Sequence, residues 1–250
     1  MKDFIKGEIL AIDKPYRMSS FGALAHVRYL MSKRLGKKVK IGHAGTLDPL
    51  ATGVLVLCTG KTTKLIDQLQ QHTKEYIATM QLGATTDSYD REHTVNHTYP
   101  TKHITRELID STIPQFIGDV QQVPPTYSAV KVNGDRAYAL RRQGDSVELK
   151  PKTVRIDEIE VLDFNPEDMT MAIRVVCGKG TYIRAIARDL GRALKSGAYL
   201  TSLRRTRVGE VKVEECVDFD HFSEWLDKQL ETELIEVRKQ VTDLMMKLID

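Results

Sequence analysis

The sequence has few of the features that mark secreted, membrane-spanning or metal-binding proteins. Its three cysteines lie far apart without a C-x-x-C pair, so it predicts neither a disulfide framework nor a structural zinc site. No run of eighteen apolar residues is present, so no transmembrane helix is predicted. The first residues also lack the apolar segment and cleavage site of a signal peptide, and we therefore expect a cytoplasmic protein.

Aromatic residues are scarce as well, at 6% of the chain, whereas hydrophobic residues make up 41% and charged residues 28%. This composition is typical of soluble globular proteins and excludes the disordered and collagen-like classes. The length of 250 residues is above the usual size of one domain. We therefore expect one large domain, or one domain with an appendage.

The formal net charge of +3 hides a division along the chain. Residues 214–250 contain eleven acidic and four basic residues, a net charge of −7, so residues 1–213 carry +10. Three basic stretches, within 28–40, 131–155 and 179–212, supply most of the positive charge. Clustered Lys and Arg indicate a phosphate-backbone partner. Solvated helix faces are the alternative interpretation of each stretch.

Strand-like and helix-like segments alternate along the chain without regular β-α-β spacing. The apolar run Val54–Cys58, bounded by glycines, predicts a buried strand. Ser19 and Ser20 are N-cap candidates for a helix over 23–30. A further helix is predicted over 105–116, although it contains a proline. The mixture favours an α+β fold over a doubly wound parallel one.

Seven apolar residues in the tail recur at spacings of three or four, which predicts one apolar stripe on a helix. One interpretation is a terminal helix packed against the body of the protein, and the other is a coiled-coil contact. The stripe consists of Leu226, Leu230, Leu234, Val237, Val241, Leu244 and Leu248.

Two segments combine glycine turns with a charged side chain. Asp48 lies in the glycine-rich loop Gly42–Gly53 just before the predicted buried strand, a position that suits a reactive carboxylate. An Asp before a proline is also a common turn former, and both interpretations stand. The segment Cys177–Arg184 predicts a strand-turn-helix junction with Arg184 one turn inside the helix, where it could pair with a buried carboxylate or a phosphate. Its spacing matches neither a Walker loop nor G-x-G-x-x-G.

The segment Val123–Pro151 is rich in proline and basic residues and contains a short helix-like stretch over 136–142. It is predicted to be an excursion from the core of the fold.

The sequence closely resembles the bacterial TruB-type tRNA pseudouridine synthases from about Gly7 to Val213. Several separated motifs carry the resemblance, and they occur in the family's order. The loop Gly42–Gly53 is the most specific of them. The others are Asp13-Lys14-Pro15 with Ser19-Ser20, Lys74-Glu75-Tyr76, Val123-Pro124-Pro125-Thr126-Tyr127-Ser128-Ala129, Lys179-Gly180-Thr181-Tyr182-Ile183-Arg184 and Leu203-Arg204-Arg205.

The resemblance implies an α+β pseudouridine synthase fold, with a mixed, mostly antiparallel sheet flanked by helices. A protruding RNA-binding thumb would correspond to residues 123–151. The catalytic domain would span residues 1–213, and residues 214–250 would form an acidic helical extension. That extension is too short and too helical to be the PUA domain, a small β-rich RNA-binding module, in which many family members end.

The implied activity is the isomerisation of uridine to pseudouridine at position 55, in the T-loop of tRNA. This reaction involves no redox change, so neither a cofactor nor a metal is expected. The family's catalytic aspartate corresponds to Asp48, whose ionised carboxylate would act in covalent catalysis. Arg184 would pair with this carboxylate and keep it charged. The resemblance leaves open whether Asp48 attacks C1′ or C6 of the nucleotide or assists a glycal-forming elimination.

Tyr76 matches the family residue that stacks on the target base and, in one proposal, moves a proton; by pattern alone it would be a core aromatic. The target uridine must leave the base stack, and His43 matches the residue that fills the vacated space. The remaining substrate contacts implied by the resemblance are the pocket-wall residues Tyr182 and Leu203, the pair Lys64 and Asp90, and the RNA-backbone contacts Lys14, Arg141 and Arg142.

The expected partner is tRNA, bound through its T-arm, with no membrane and no obligate protein partner, and the protein is expected to be a monomer. One alternative is a catalytically silent RNA-binding or tRNA-folding module, against which the joint presence of Asp48, Tyr76 and Arg184 argues. Another is a guide-RNA-dependent catalytic subunit, which predicts a PUA domain and protein partners. An assay for pseudouridine in unmodified tRNA distinguishes an enzyme from a silent module.

Overall fold

The computed structural model describes residues 3–128, 130–132, 135–136 and 149–231. The chain divides into two compact units. Unit 1 comprises residues 1–70 and 211–250, and unit 2 comprises residues 71–210.

The sheet of unit 1 is built on the apolar strand β3 (Ala51–Thr59), which contains the strand predicted over 54–58. β1 (Ile9–Lys14) and β2 (Ile41–His43) both pair antiparallel with β3. The short strand β14 (Val217–Asp218) pairs parallel with β1, so the C-terminal part of the chain returns to this unit. The remaining short elements of unit 1 are a 3₁₀ helix (Gly60–Leu65), α2 (Ile66–Leu69), β13 (Val211–Lys212) and a 3₁₀ turn (Val213–Glu215).

Helix α1 (Ser20–Leu35) supplies one side of the unit 1 core. The predicted cap is confirmed at Ser19, whose hydroxyl oxygen accepts a hydrogen bond of 3.0 Å from the backbone N–H of Gly22. The helix ends at Gly36, whose φ of 63° lies in the left-handed region that glycine adopts without strain. The buried side of α1 consists of Ser20, Ala23, Leu24, Val27 and Met31.

Residues 222–231 are helical and carry the first two positions of the predicted apolar stripe. Phe222 and Leu226 are fully buried, and Leu230 packs against the same core as α1. Over the described residues, the stripe therefore packs on the body of unit 1, as the first interpretation predicts. Its positions from Leu234 to Leu248 lie outside the described residues.

Unit 2 is built on a five-stranded antiparallel sheet in the order β12-β4-β11-β10-β7. Two hairpins, β5–β6 and β8–β9, lie off this sheet. The strands of the unit are β4 (Lys74–Leu82), β5 (Ala84–Thr86), β6 (Val95–Thr98), β7 (Gly118–Gln122), β8 (Lys131–Val132), β9 (Asp135–Arg136), β10 (Lys152–Asn165), β11 (Thr170–Cys177) and β12 (Ala198–Val208).

Two helices of unit 2 differ in their bounds from the sequence predictions. The helix predicted over 105–116 is α-helical only as α3 (Arg106–Thr112) and continues as a 3₁₀ helix (Ile113–Phe116), because Pro114 has no N–H for an α-helical bond. Helix α4 (Ile183–Ala193) begins one residue before Arg184, so this side chain lies in the first turn and not one turn inside. The short helix predicted over 136–142 is wrong at Arg136, which ends strand β9, and its other residues lie outside the described part.

None of the helices among the described residues is both long and apolar enough to cross a membrane.

Candidate active site

The loop between β2 and β3 carries Asp48 and is fastened on the amino side of that residue by Ser20. The buried Ser20 hydroxyl accepts a hydrogen bond of 2.8 Å from the N–H of Leu47 and donates one of 2.9 Å to the Leu47 carbonyl. On the carboxyl side, the N–H of Ala51 donates to the carbonyl oxygen of Asp48 at 3.0 Å. Because these bonds hold the main chain, the partly buried Asp48 side chain stands on a fixed backbone.

Lys14, the last residue of β1, contacts the turn after that strand and, at a longer distance, the same loop. Its side chain is completely buried, and its ammonium donates to the main-chain carbonyls of Pro15 at 2.8 Å and Met18 at 2.6 Å. A third, longer bond of 3.4 Å reaches the carbonyl of Pro49, the residue after Asp48. Burial and these carbonyl acceptors favour a structural role for Lys14, and its predicted contact with RNA backbone stays a prediction.

The two other predicted site residues of unit 1 lie near strand ends. His43 is the last residue of β2, opposite Leu57 of β3 in the antiparallel register, and is partly buried. Lys64 lies in the 3₁₀ helix that follows β3 and is exposed, so its charge is accessible to a polyanion.

Within unit 2 the structure brings together two predicted site residues, Arg184 and Asp90. Nε of Arg184 lies 3.7 Å from Oδ2 of Asp90, and the side chains are 4% and 10% exposed. The guanidinium also donates to the carbonyl oxygens of Ser88 at 3.1 Å and Tyr127 at 2.9 Å. A buried guanidinium that meets a carboxylate and two carbonyls is oriented as well as neutralised.

Asp90 is itself held by its neighbours in the chain. Its Oδ1 accepts from the hydroxyl of Ser88 at 2.6 Å and from the N–H of Glu92 at 2.9 Å. The hydroxyl of Thr86 donates to the Asp90 carbonyl oxygen at 2.7 Å. The segment from Thr86 to Glu92 is therefore a compact turn that presents one carboxylate oxygen to Arg184.

The start of α4 is fixed by a side chain that sequence reasoning missed. The amide of Gln122, at the end of β7, accepts from the N–H of Tyr182 at 2.8 Å and donates to its carbonyl oxygen at 3.2 Å. Gln122 is buried, and no local pattern in the sequence marks it. Its role is visible only in the folded structure, because its partner Tyr182 lies sixty residues later in the sequence. Gln122 fixes the position of the main chain just before Arg184.

Tyr76 and Leu203 lie on neighbouring strands of the unit 2 sheet. Tyr76 is buried on β4, with Val175 of β11 and Arg205 of β12 as its cross-strand partners. Leu203 on β12 is opposite Ala78 and is partly exposed. The burial of Tyr76 fits a core aromatic as well as a base-stacking residue, so its catalytic role stays a prediction.

Two titratable side chains face each other near Tyr76. Lys74 and Cys177 are cross-strand partners on β4 and β11, and both are buried. Burial, together with the nearby Arg205 guanidinium, lowers the pKa of the Lys74 ammonium to about 8. Burial raises the pKa of the Cys177 thiol to about 11. The structure thus disfavours charge on either side chain.

A cavity of about 490 Å³ in unit 2 is built by the segments that hold Arg184. Its lining includes Tyr89, between Ser88 and Asp90, and Arg188, one helical turn after Arg184. The Arg188 guanidinium lies 5.6 Å from the centre of the Tyr89 ring. Arg184 itself does not line the cavity.

Two predicted RNA contacts, Arg141 and Arg142, lie outside the described residues. Among the residues that are described, no group of His, Cys, Asp and Glu side chains is arranged to hold a metal ion. The predicted ion pair between Asp48 and Arg184 joins residues of different units and stays a prediction, as do the roles of the other site residues.

Comparison with models of known protein families identifies the family of this chain. Residues 33–183 match the model of the TruB family pseudouridylate synthase N-terminal domain, and residues 184–245 match the tRNA pseudouridylate synthase B C-terminal domain. The chain belongs to the TruB family. The two family models meet inside α4, whereas the compact units divide elsewhere, so the predicted boundary at residue 213 stays a prediction.

Curated members of this family from several bacteria are similar over most of their length. The chain is 59% identical over 230 residues to tRNA pseudouridine synthase B of Bacteroides thetaiotaomicron, which covers 91% of this chain and 96% of the relative. It is 47% identical over 227 residues to the protein of the same name from Flavobacterium johnsoniae, covering 90% and 98%. The protein of that name from Mycobacterium bovis is 44% identical over 218 residues, covering 86% and 72%.

Solved structures confirm the predicted fold class. The crystal structure of a Cbf5-Nop10-Gar1 complex contains a chain that matches with a TM-score of 0.64 and 28% identity, covering 90% of this chain. An H/ACA RNP bound to a substrate RNA containing 2′-deoxyuridine gives a TM-score of 0.62 at 26% identity, again over 90% of this chain. This chain spans only 57% and 56% of those chains. The α+β pseudouridine synthase fold and the TruB family predicted from the motifs are both confirmed.

Proposed function

We propose that this TruB family member isomerises uridine to pseudouridine at position 55, in the T-loop of tRNA. The observation that carries the proposal is the 59% identity to a protein named tRNA pseudouridine synthase B, over nearly the whole length of both chains. The loop that holds Asp48 on a fixed backbone supports it, because the reaction needs a carboxylate in a defined position.

The reaction begins when the target uridine leaves the base stack. Extruding a stacked base costs roughly a few kcal/mol, which contacts made only by the flipped base must offset. His43 fills the vacated space, while Tyr182 and Leu203 form walls around the base. Lys64, which is exposed, and Asp90 help to order the active site around the substrate.

Asp48 supplies the reactive carboxylate. The bond between N1 of the base and C1′ of the ribose breaks, the base rotates, and a bond between C5 and C1′ forms. The proton on C5 then leaves, and N1 gains one, so atoms and electrons balance without a cofactor. Tyr76 stacks on the base and assists the proton transfer.

Arg184 keeps Asp48 ionised and directed toward the nucleotide. Two of its N–H groups bind the carbonyls of Ser88 and Tyr127, and its Nε faces Asp90. These partners restrict the rotation of the guanidinium, which preorganises a positive charge for the transition state. Preorganised charge of this kind is effective because it does not have to rearrange during the reaction.

The partner of the enzyme is tRNA, which it binds through the T-arm in the cytoplasm. It acts as a monomer without an obligate protein partner. The basic charge of residues 1–213 suits this partner.

The test is the incubation of purified protein with an unmodified tRNA transcript, followed by mapping of pseudouridine by carbodiimide modification and primer extension. We expect a single modified position, position 55, and no product from a matched transcript with cytidine there. Modification at a different position would contradict the proposed site. Tight tRNA binding without any product would instead favour the silent RNA-binding module.

A further inference from the structure

Helix α1 and the turn before it expose an unusual number of aromatic rings. Phe21 is 65% exposed, Tyr29 is 60% exposed and Tyr16 is 47% exposed. In the part of the chain that the structure describes, every exposed Phe, Tyr or Trp lies in this stretch. Single exposed apolar side chains are common on proteins, but the occurrence of all these exposed rings in one short stretch of the chain indicates a contact surface.

Cations are interleaved with these rings. Between Asp13 and Asp48 the sequence contains eight Lys and Arg residues and no acidic residue. The Arg17 guanidinium lies 5.6 Å from the centre of the Tyr16 ring, and the Lys33 ammonium lies 5.9 Å from that of Tyr29. The name aromatic–basic face is used below for Tyr16, Arg17, Phe21, Tyr29, Lys33 and Lys37.

The geometry of α1 explains how the face forms. Its buried side packs on the unit 1 core, and Phe21 and Tyr29, eight residues apart, lie on the side that points away from it. Ala25, four residues from each of them, lies between the two rings on the helix surface. Arg34 is not part of the face, because it donates to Asp227 at 2.9 Å and to Ser223 on the C-terminal segment.

The chemistry of the face fits RNA better than protein. The centres of protein–protein interfaces are depleted in Lys, whereas here lysines lie beside the rings. Proteins that bind unpaired nucleotides combine a positively charged surface for phosphates with rings on which bases stack. Residues 14–47 contain no acidic side chain, and Asp227 of the acidic C-terminal segment is paired with Arg34.

We propose that the aromatic–basic face is a second RNA-contact surface, which binds unpaired nucleotides of the tRNA outside the arm that contains the target uridine. Phe21 and Tyr29 would stack on bases, while Arg17, Lys33 and Lys37 would bind the adjoining phosphates. The proposal relies on the proposed function only for the identity of the RNA.

The test compares two RNAs and two pairs of substitutions in binding titrations. The variant Phe21→Ala/Tyr29→Ala should bind full-length tRNA at least about 30-fold more weakly than the wild type, because two stacking rings are lost. Its affinity for an isolated T-arm hairpin should change by less than about twofold. The control Val95→Ala/Leu162→Ala removes apolar side chains of similar exposure in unit 2 and should leave both affinities unchanged.

The outcomes separate this proposal from its competitors and from the proposed function. Equal affinities of wild type and variant for tRNA, or an equal loss for both RNAs, would overturn it. If the wild type self-associates and the substitutions abolish this while RNA binding is unchanged, the face is a protein interface and the proposal is wrong. If position 55 is not modified but tRNA binding still depends on the rings, the proposed function fails and this proposal stands.

Discussion

Nε of Arg184 lies 3.7 Å from Oδ2 of Asp90, in a part of unit 2 where both side chains are almost completely buried. The other oxygen of Asp90 is occupied by the hydroxyl of Ser88 and the N–H of Glu92. The carboxylate therefore links a turn of the main chain to a buried cation. Removing this carboxylate would leave the Arg184 guanidinium buried without that negative partner. The loss would destabilise the folded protein, because water does not take the place of the carboxylate.

Replacing Asp90 by Ala should reduce the free energy of unfolding by about 3 kcal/mol, because it removes this charge and two hydrogen bonds. Asp90→Asn should cost less, since the amide oxygen still accepts from Ser88. Urea unfolding measures both. The control Asp87→Ala changes an exposed carboxylate three residues away and should cost less than about 1 kcal/mol. Equal losses for Asp87 and Asp90 would show that the buried pair contributes nothing specific.

Replacing Asp48 by Asn should abolish pseudouridine formation, because a neutral amide cannot replace the reactive carboxylate. The affinity for tRNA should stay within about tenfold of the wild type, or roughly 1.4 kcal/mol. Product formation and binding are measured on the same transcript. The control Asp67→Asn alters an exposed aspartate of unit 1 and should leave turnover intact. Ready turnover by the Asp48 variant would disprove the assignment of the catalytic residue.

The stability of the protein should depend on pH through the partners Lys74 and Cys177. The pKa of Lys74 is lowered from 10.5 to about 8, so the folded protein binds fewer protons than the unfolded chain within that window. Its contribution to stability therefore grows as pH rises from about 8. The pKa of Cys177 is raised from 9.0 to about 11, so its contribution is present below pH 9 and is lost above it.

We therefore expect the free energy of unfolding to rise between pH 8 and pH 9, with a slope of at most about 1.4 kcal/mol per pH unit, and then to level off. Lys74→Met should remove the rise, and Cys177→Ala should extend it beyond pH 9. Lys61→Met, at an exposed lysine, is the control. Urea unfolding at intervals of half a pH unit measures the slopes. If the free energy of unfolding of the Lys74→Met variant still rises by the same amount, other titratable groups cause the rise.

Binding of tRNA should weaken steeply as salt is added, because the body of the chain carries a net charge of +10 over residues 1–213. Each phosphate that a Lys or Arg neutralises adds about 0.7 to 0.9 to the slope of log K against log salt. Titrations at roughly 50 to 300 mM salt measure this slope. A flat response would remove the electrostatic basis of RNA binding.

The segment between β7 and β10 is predicted to grip RNA. Its ends, Gln122 and Lys152, are cross-strand partners, so it begins and returns at one point of the sheet. Replacing residues 131–150 by a Gly-Ser linker should therefore preserve the fold, because changes in loop length cost little closure entropy. The replacement removes basic side chains, so we expect weaker tRNA binding and lower activity at limiting tRNA.

Thermal unfolding and tRNA titration of this variant are the measurements. Unchanged RNA affinity together with a large loss of stability would mean that the segment is scaffold and that the grip lies elsewhere. Most of the replaced residues, 137–148, lie outside the described part of the chain, so the prediction comes from the sequence and from the paired ends.

The sequence predicted those helices and strands that depend on residues close to one another in the chain. The apolar run of β3 and the cap at Ser19 are examples, since each depends on neighbours in the chain. Strand β12 was missed because its sequence is rich in Arg, whereas the structure buries Arg205 completely beside β4. Gln122 was missed for a similar reason, because its partner Tyr182 lies sixty residues away. Burial of polar side chains is decided by tertiary partners, which composition does not reveal.

The ammonium of Lys14 has a consequence for how this loop tolerates sequence change. The acceptors at Pro15, Met18 and Pro49 are main-chain carbonyls, which any amino acid supplies. Substitutions at those three positions therefore preserve the acceptors, whereas an apolar residue at position 14 would leave them without their donor. The main chain around these carbonyls is therefore more sensitive to a substitution at position 14 than to substitutions at the residues that supply the carbonyls.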